Sequence, residues 1–297
     1  MLIREWIETY YTVYKKLELK PGTVRSYLTG LCRIPDTWTF ENVSREEVQK
    51  LINDLSESLS PSTVHHIYTI LSEPLKEAFL YGLPDKRDAL CFIKLPKLRK
   101  KHVRALSALE LERVLCAVHK SDYADVFLTL LNTGMRFSEL AGIDCKDVDF
   151  ATNLVILRQN FYRGKLQNST KTDDGIREIP LNFTVLSIFK DNMRIGTPNE
   201  PLFVSKRNLR LSYNTIVHNW HKLLDACNVE RCGLHVLRHT FATQLYKNGV
   251  DLKTISALLG HSSVAITADI YTDVPIDLKR SAVCRLYGDT LQNVKRA

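Results

Sequence analysis

Four short stretches of this chain set cationic or imidazole side chains beside a turn or a helix terminus, the groups that bind anions and move protons. In Asn132-Thr133-Gly134-Met135-Arg136-Phe137-Ser138-Glu139, Arg136 and Glu139 stand three apart and share a helix face after a glycine turn. Read alone, they form a surface ion pair more often than an anion site. Lys171 lies in Ser169-Thr170-Lys171-Thr172-Asp173-Asp174-Gly175, where a lysine is either a solvated turn residue or a proton donor. In Leu234-His235-Val236-Leu237-Arg238-His239-Thr240-Phe241, His235, Arg238 and His239 share one face, and their charges repel unless an anion lies opposite. Leu258-Leu259-Gly260-His261-Ser262-Ser263 precedes Tyr271, one of twelve tyrosines, which by itself reads as a core or interface residue rather than a nucleophile.

Two other clusters could hold a metal. Asp144, Asp147 and Asp149 are close in sequence, as are Cys227, Cys232, His235 and His239. The aspartates also suit a solvated turn. The Cys/His group lacks the long middle spacing of a finger, and there is no H-E-x-x-H, so neither a metal nor a cofactor is expected.

The elements that must position these groups read mostly as helices. Ser44-Arg45-Glu46-Glu47 and Ser107-Ala108-Leu109-Glu110 have the form of capping boxes. Ser60-Pro61 opens a helix through Val64, Ile67, Leu71 and Leu75 toward Phe79, with a kink expected at Pro74. Leu154-Val155-Ile156-Leu157 and the alternating Ile176-Arg177-Glu178-Ile179-Pro180, which follows an Asp174-Gly175 turn, predict a small antiparallel sheet. Gly249 and Gly260 read as C-caps, with Asp251 starting a short helix between them. The fold class is therefore mainly α with a small antiparallel β-sheet.

Length and charge organise these elements. At 297 residues the chain suggests two domains, and residues 94–104, with six Lys or Arg in eleven, mark the boundary between them. We expect a helical domain at 1–93, a basic linker at 94–104 and a second domain at 105–297. A net charge of +8, shared evenly by the two parts, calls for an anionic partner, either nucleic acid or an acidic membrane. No apolar run approaches the roughly 18 residues a span needs. Seven scattered cysteines without a C-x-x-C pair suit a reducing compartment, so a cytoplasmic protein is expected.

Taken together, T-G-x-R, a hairpin K-T, H-x-x-R-H-T-F-A-T, L-G-H-S-S and I-Y-T resemble the tyrosine recombinase (phage integrase) family from about Leu106 to Val274. Residues 1–93 resemble its helical core-binding domain less distinctively, chiefly in Ser60-Pro61-Ser62-Thr63-Val64. The resemblance implies a compact form without an arm-binding domain, its two domains closing on DNA as a clamp. It implies Arg136 and Arg238 as the arginine pair, Lys171 as the hairpin lysine with Lys165 a rival, His235 and His261 as the histidines, Tyr271 as nucleophile and Glu139 behind Arg136. Asp273 departs from a common histidine, at a position that does not react.

These residue types suit phosphoryl transfer. Two guanidinium forks hold phosphate oxygens without losing a proton. A tyrosine ester conserves the bond energy that hydrolysis would discard. Tyr271 starts near pKa 10 and needs a base, for which His235 is the candidate. His261 is placed to bond a phosphate oxygen or orient Tyr271, and Lys171 to protonate the leaving 5′ oxygen.

The expected activity is site-specific recombination through a 3′-phosphotyrosyl intermediate and a Holliday junction, for mobile-element integration and excision. The ten-residue step from His261 to Tyr271, against nine in many resolvase-like relatives, favours that role over dimer resolution. A non-cleaving DNA-binding or synapsis protein and a type IB topoisomerase are the alternatives. The partners implied are double-stranded DNA carrying specific sites, accessory DNA-bending proteins, and three further copies in a homotetramer that forms on DNA from free monomers. No membrane partner is expected. Helix starts placed at Thr23 and Ser62 give Thr23, Arg25, Ser62, Thr63, His65 and His66 as DNA contacts or plain solvent-facing residues, with Lys97, Arg99, Lys100 and Lys101 following the backbone from the linker. The segment from Ile276 to Ala297, with Leu278, Val283, Leu286 and Leu291, reads as a helix that packs on its own core or on a neighbouring protomer.

Overall fold

Ser60 accepts a hydrogen bond from the Thr63 amide, and Pro61, whose missing N–H costs nothing in a first turn, starts α4 (Pro61–Glu77) in a computed structural model of the chain. The structure describes residues 1–19, 21–98, 104–168, 176–193 and 198–260. They divide between two units, Met1–Lys101 and His102–Ala297.

The first unit is helical: α1 (Ile3–Thr9) running into a π-helical turn at Tyr10–Tyr14, α2 (Pro21–Leu31), α3 (Arg45–Ser58) and α4. Ser44 caps α3 through the Glu47 amide, but Glu47 lies beside Lys50 at 3.6 Å, so the structure shows one half of the expected box. Pro74 sits inside α4 and cannot donate to the Ile70 carbonyl. Tyr11 offers its hydroxyl there instead, 3.5 Å from Ile70 O and 3.2 Å from a Glu73 oxygen, while the Trp6 indole donates to Pro74 O at 2.9 Å. The helix therefore continues past its proline with the freed backbone group covered by buried aromatic side chains. The expected starts at Thr23 and Ser62 are corrected: Ser60 is the cap of α4, Ser62 lies in its first turn, and Thr23 is inside α2.

In the second unit Ser107 and Glu110 complete a reciprocal capping box at the start of α5 (Ala108–Val118). Next come α6 (Ala124–Thr133) and the one-turn α7 (Phe137–Leu140). Helix α6 is buried around most of its circumference, with Phe127 against Trp220 at 5.2 Å between ring centroids. Burying a side chain of that size contributes roughly 1.5–3 kcal/mol. Helices α8 (Phe183–Asn192), α9 (Tyr213–Ala226), α10 (His235–Lys247) and α11 (Leu252–Leu259) complete the α-helices of the described residues, with Asp251 capping α11 through the Thr254 amide.

Two small antiparallel sheets stand where one was expected. β1 (Val148–Asp149), β2 (Leu154–Leu157) and β5 (Arg177–Pro180) form one in the order β1-β2-β5, and β3 (Gln159–Tyr162) pairs with β4 (Lys165–Asn168) in the other. Arg163 and Gly164 have φ of 48° and 78°, the doubly left-handed geometry of a two-residue hairpin, so β3 and β4 close on each other. β5 then returns to β2, placing the buried Val155 opposite the buried Ile179 and setting Arg177 opposite Leu157. The Asp174-Gly175 turn lies outside the described residues.

Candidate active site

Gly134 ends α6 with φ 64°, and a Cβ there would lie 2.3 Å from the Phe241 ring. Glycine is therefore required by both backbone and packing. The reversed chain carries Met135 into the core and puts Arg136 at the start of α7, extended at φ −73° and ψ 151°. Glu139, in the third position of α7, reaches back to accept from the Arg136 backbone N–H at 2.7 Å and from its Nη1 at 2.8 Å. The two residues form an intimate pair, with the Arg136 side chain 38% exposed and that of Glu139 only 4%.

Glu139 is also held from the opposite side. Arg177 of β5 donates from Nη1 to Oε1 at 3.1 Å and from Nη2 to Oε2 at 2.8 Å, a two-pronged contact. Burial pushes the Glu139 carboxyl toward its neutral form, but Arg177, then Arg136, outweigh that and hold it below the usual carboxylate range. Glu139 is therefore an anion that fixes two guanidiniums rather than a base.

Arg238, one turn into α10, is 3% exposed. Its Nη1 donates to Gly134 O at 2.9 Å and its Nη2 to Leu259 O at 2.7 Å. It thus ties the turn before Arg136 to the last turn of α11. His235 opens α10, its ring 5.7 Å from that of His239. Protein crowded around the His235 imidazole, then the charges of Arg238 and Arg136, lower its pKa, with Glu139 opposing. His235 is an exposed residue that lines a concavity, and its lowered pKa favours the neutral form.

That concavity has a volume of about 590 Å³ and is lined by Arg136, Arg238, His235, Arg163, Tyr213 and Asn214 among others. No carboxylate is among the described lining residues. Arg136 and Arg238, with Arg163 beside them, make this space an anion site, and an imidazole beside them whose neutral form is favoured can take a proton.

Residues 98–276 match the model for the phage integrase family, more than half of the chain. The chain belongs to the phage integrase family. Its members, tyrosine recombinases, cleave and rejoin DNA, and this integrase is a site-specific DNA recombinase of that kind. The tyrosine recombinase XerA of Thermococcus onnurineus is 29% identical over 288 residues, which cover 94% of each chain. A XerC-like tyrosine recombinase of Caldanaerobacter subterraneus is 26% identical over 207 residues; the match spans 61% of this chain and about half, 53%, of that relative. The fold is shared with the Tn1549 transposon integrase in complex with transposon right end DNA, at a TM-score of 0.78 and 20% identity, covering 96% of this chain and 99% of the other.

Among the sequence candidates, the structure brings Arg136, Glu139, His235 and Arg238 of the integrase together. Lys171, His261 and Tyr271 lie outside the described residues, as do Arg99, Lys100, Lys101 and the segment from Ile276. Lys165 is exposed on β4. Two features escaped sequence reading: Arg177, which looked like one polar position of an alternating strand, and the Tyr162-Arg163 hairpin tip, whose only signal was an Arg163-Gly164 pair between two short β-prone runs.

In the first unit, α2 and α4 lie side by side, joined by Ser26 Oγ and His66 Nε2 at 3.1 Å. Arg25, Ser62, Thr63 and Lys97 are exposed, Thr23 is half-buried, and the His65 ring is engaged with Pro96 O at 2.8 Å. The Ser62 and Thr63 hydroxyls lie within hydrogen-bond distance of Ser60 Oγ, so they serve the cap of α4 as well as offering a polar face.

The acidic cluster is engaged by its surroundings, apart from one buried oxygen of Asp147 that accepts no hydrogen bond and lies 3.4 Å from Arg158 Nε. Asp144 is paired with Arg210 and accepts from Gln159, Asp147 accepts from the Asp144 amide at 2.9 Å, and Asp149 caps the turn at Ala151. Among the described residues no three His, Cys, Asp or Glu side chains converge on a metal position, and no helix is long and apolar enough to cross a membrane.

The cause of the His235 shift gives a direct expectation. Its NMR-detected titration should have a midpoint below the ordinary 6.5, and Arg136→Met, which removes one of the lowering charges, should move it up. A wild-type midpoint at or above 6.5 would contradict the electrostatic arrangement.

Proposed function

We propose that this recombinase cuts each strand by attack of the Tyr271 hydroxyl on a phosphodiester held by Arg136 and Arg238. The Oη–P bond forms as the P–O5′ bond breaks. The tyrosine proton passes to His235, and Lys171 supplies a proton to the departing 5′ oxygen. His261 bonds a non-bridging oxygen or orients Tyr271. The upstream strand is left on the enzyme as a 3′-phosphotyrosyl ester, and the free 5′-hydroxyl of a partner strand reverses the step, so that two exchanges pass through a Holliday junction. One observation supports this reading above the others: Arg136, Arg238 and a His235 of lowered pKa meet in a cavity with no carboxylate among its described lining residues. Fixed guanidiniums aimed at developing phosphoryl charge are an efficient source of catalysis.

The substrate is double-stranded DNA carrying specific sites, bound by four copies that arrive as monomers, with accessory DNA-bending proteins assisting. Arg25, Ser62, Thr63 and Lys97 add contacts from the first unit. We assign the biological role to mobile-element integration and excision, on the support of the His261-to-Tyr271 spacing.

A nicked suicide duplex carrying the flanking genomic sequence tests the chemistry, because the short 5′-hydroxyl product diffuses away and traps the adduct. Covalent protein on the 5′-labelled upstream strand is the expected result. Binding without any adduct would favour a synapsis protein, and relaxation of supercoils without paired sites would favour a topoisomerase. The mapped cleavage positions distinguish mobile-element ends from a chromosomal or plasmid dimer-resolution site.

A further inference from the structure

We infer that Arg177 is the positioning residue that brings the parts of the catalytic site into register, an inference that rests on the recombinase reading above. Its guanidinium contacts two separate elements. Nη1 and Nη2 grip the Glu139 carboxylate, which itself holds the backbone and side chain of Arg136. Nε donates at 3.0 Å to the carbonyl of Leu258 in the last turn of α11, two residues short of Gly260 and three short of His261.

The third element is the strand that carries it, β5, which begins six residues after Lys171 in sequence. A single side chain therefore links the arginine turn, the first residue of β5 and the last turn of α11.

Two further observations fit positioning rather than contact with DNA. The Arg177 side chain is 10% exposed and is absent from the described residues lining the cavity. Gly260, with φ 64°, leaves room for it: a Cβ there would lie 2.7 Å from Arg177 Nη1. A side chain at Gly260, the residue before a catalytic candidate, would thus collide with the guanidinium. Lysine is no substitute, since one ammonium cannot span both Glu139 oxygens and Leu258 O in a planar fork.

The test compares wild type, Arg177→Lys, Arg177→Met, Glu139→Gln and the Arg177→Met/Glu139→Gln double variant in single-turnover cleavage of the suicide duplex. Melting curves are recorded for each. Displacing catalytic groups by about an ångström costs on the order of 100-fold, so the Arg177→Met rate at saturating DNA should fall by about that factor while half-saturation stays within threefold. Arg177→Lys, which keeps the charge and tests the case where the methionine variant does not fold, should lose at least tenfold with a melting temperature near wild type. The double variant should be no slower than the worse single one, because both changes break one linkage. Lysine cleaving within threefold of wild type, or losses that multiply in the double variant, would overturn the role. Failure of wild type to form any adduct would overturn the recombinase reading instead.

Discussion

Tyr271→Phe should bind its DNA site as wild type does and yield no covalent adduct at any time. The substitution deletes one hydroxyl and retains the ring, so local packing changes by a single polar atom. If Tyr271 is the nucleophile, nothing short of another attacking group restores a 3′-phosphotyrosyl bond. At pH 7 an ordinary tyrosine near pKa 10 is ionised in only about one molecule in a thousand, which is why the proposed attack needs a proton acceptor, the role proposed for His235 with its lowered pKa. The measurement is a denaturing gel of the suicide duplex with the 5′ label upstream: label should migrate with wild-type protein and never with Tyr271→Phe. Adducts that persist in the variant would remove Tyr271 from the mechanism. A water-mediated nick without adduct would show that the site retains its electrophilic power but has lost the ester that makes rejoining possible.

The local punctuation of the fold was readable because single residues dictate it. Ser60-Pro61, Ser107 with Glu110, Asp251, and the glycines at 134 and 260 each set a helix end by hydrogen bonding or by a positive φ, and all do so in the structure. The sheet was harder, because strand pairing depends on long-range register. Val155 and Leu157 announce a buried face, but only the Arg163-Gly164 turn determines that β4 turns back on β3 and leaves β5 for β2.

The site divides in the same way. Arg136 and Glu139 were legible as an i, i+3 pair. Arg238 was legible as a cation, though not as a buried brace between two backbone carbonyls, and Arg177 was invisible because its partner Glu139 is 38 residues away in sequence. A charged residue in an alternating strand reads as the solvent side. Here Arg177 shares the face of β5 that buries Ile179 and meets another buried charge there, while Glu178 is exposed on the other face, so reading by residue type gave the correct strand and the wrong environment for this residue.

Arg136→Met and Arg238→Met should lose activity alike and differ in stability, and that contrast separates the two arginines. The Arg136 side chain is 38% exposed at the cavity, and without it Glu139 still has Arg177 and the Arg136 amide. Its removal should cost the fold no more than about 1 kcal/mol. The cleavage rate should fall by on the order of 10³- to 10⁵-fold, the range for an arginine that meets phosphoryl charge in the transition state. Arg238 carries a second duty. Without it the buried carbonyls of Gly134 and Leu259 lose charge-assisted bonds, each worth roughly 1.5–3 kcal/mol, so the unit should lose about 3–6 kcal/mol and melt on the order of 10 °C earlier. Calorimetry and single-turnover cleavage on the same preparations check both halves. Arg136→Met cleaving within tenfold of wild type would remove it from the phosphate clamp, and an unchanged melting temperature for Arg238→Met would mean that water replaces the guanidinium at both carbonyls. Arg238→Lys separates charge from geometry: one ammonium can satisfy one of the two carbonyls, leaving the turn before Arg136 untied from α11 and cleavage slow in a protein that keeps much of its stability.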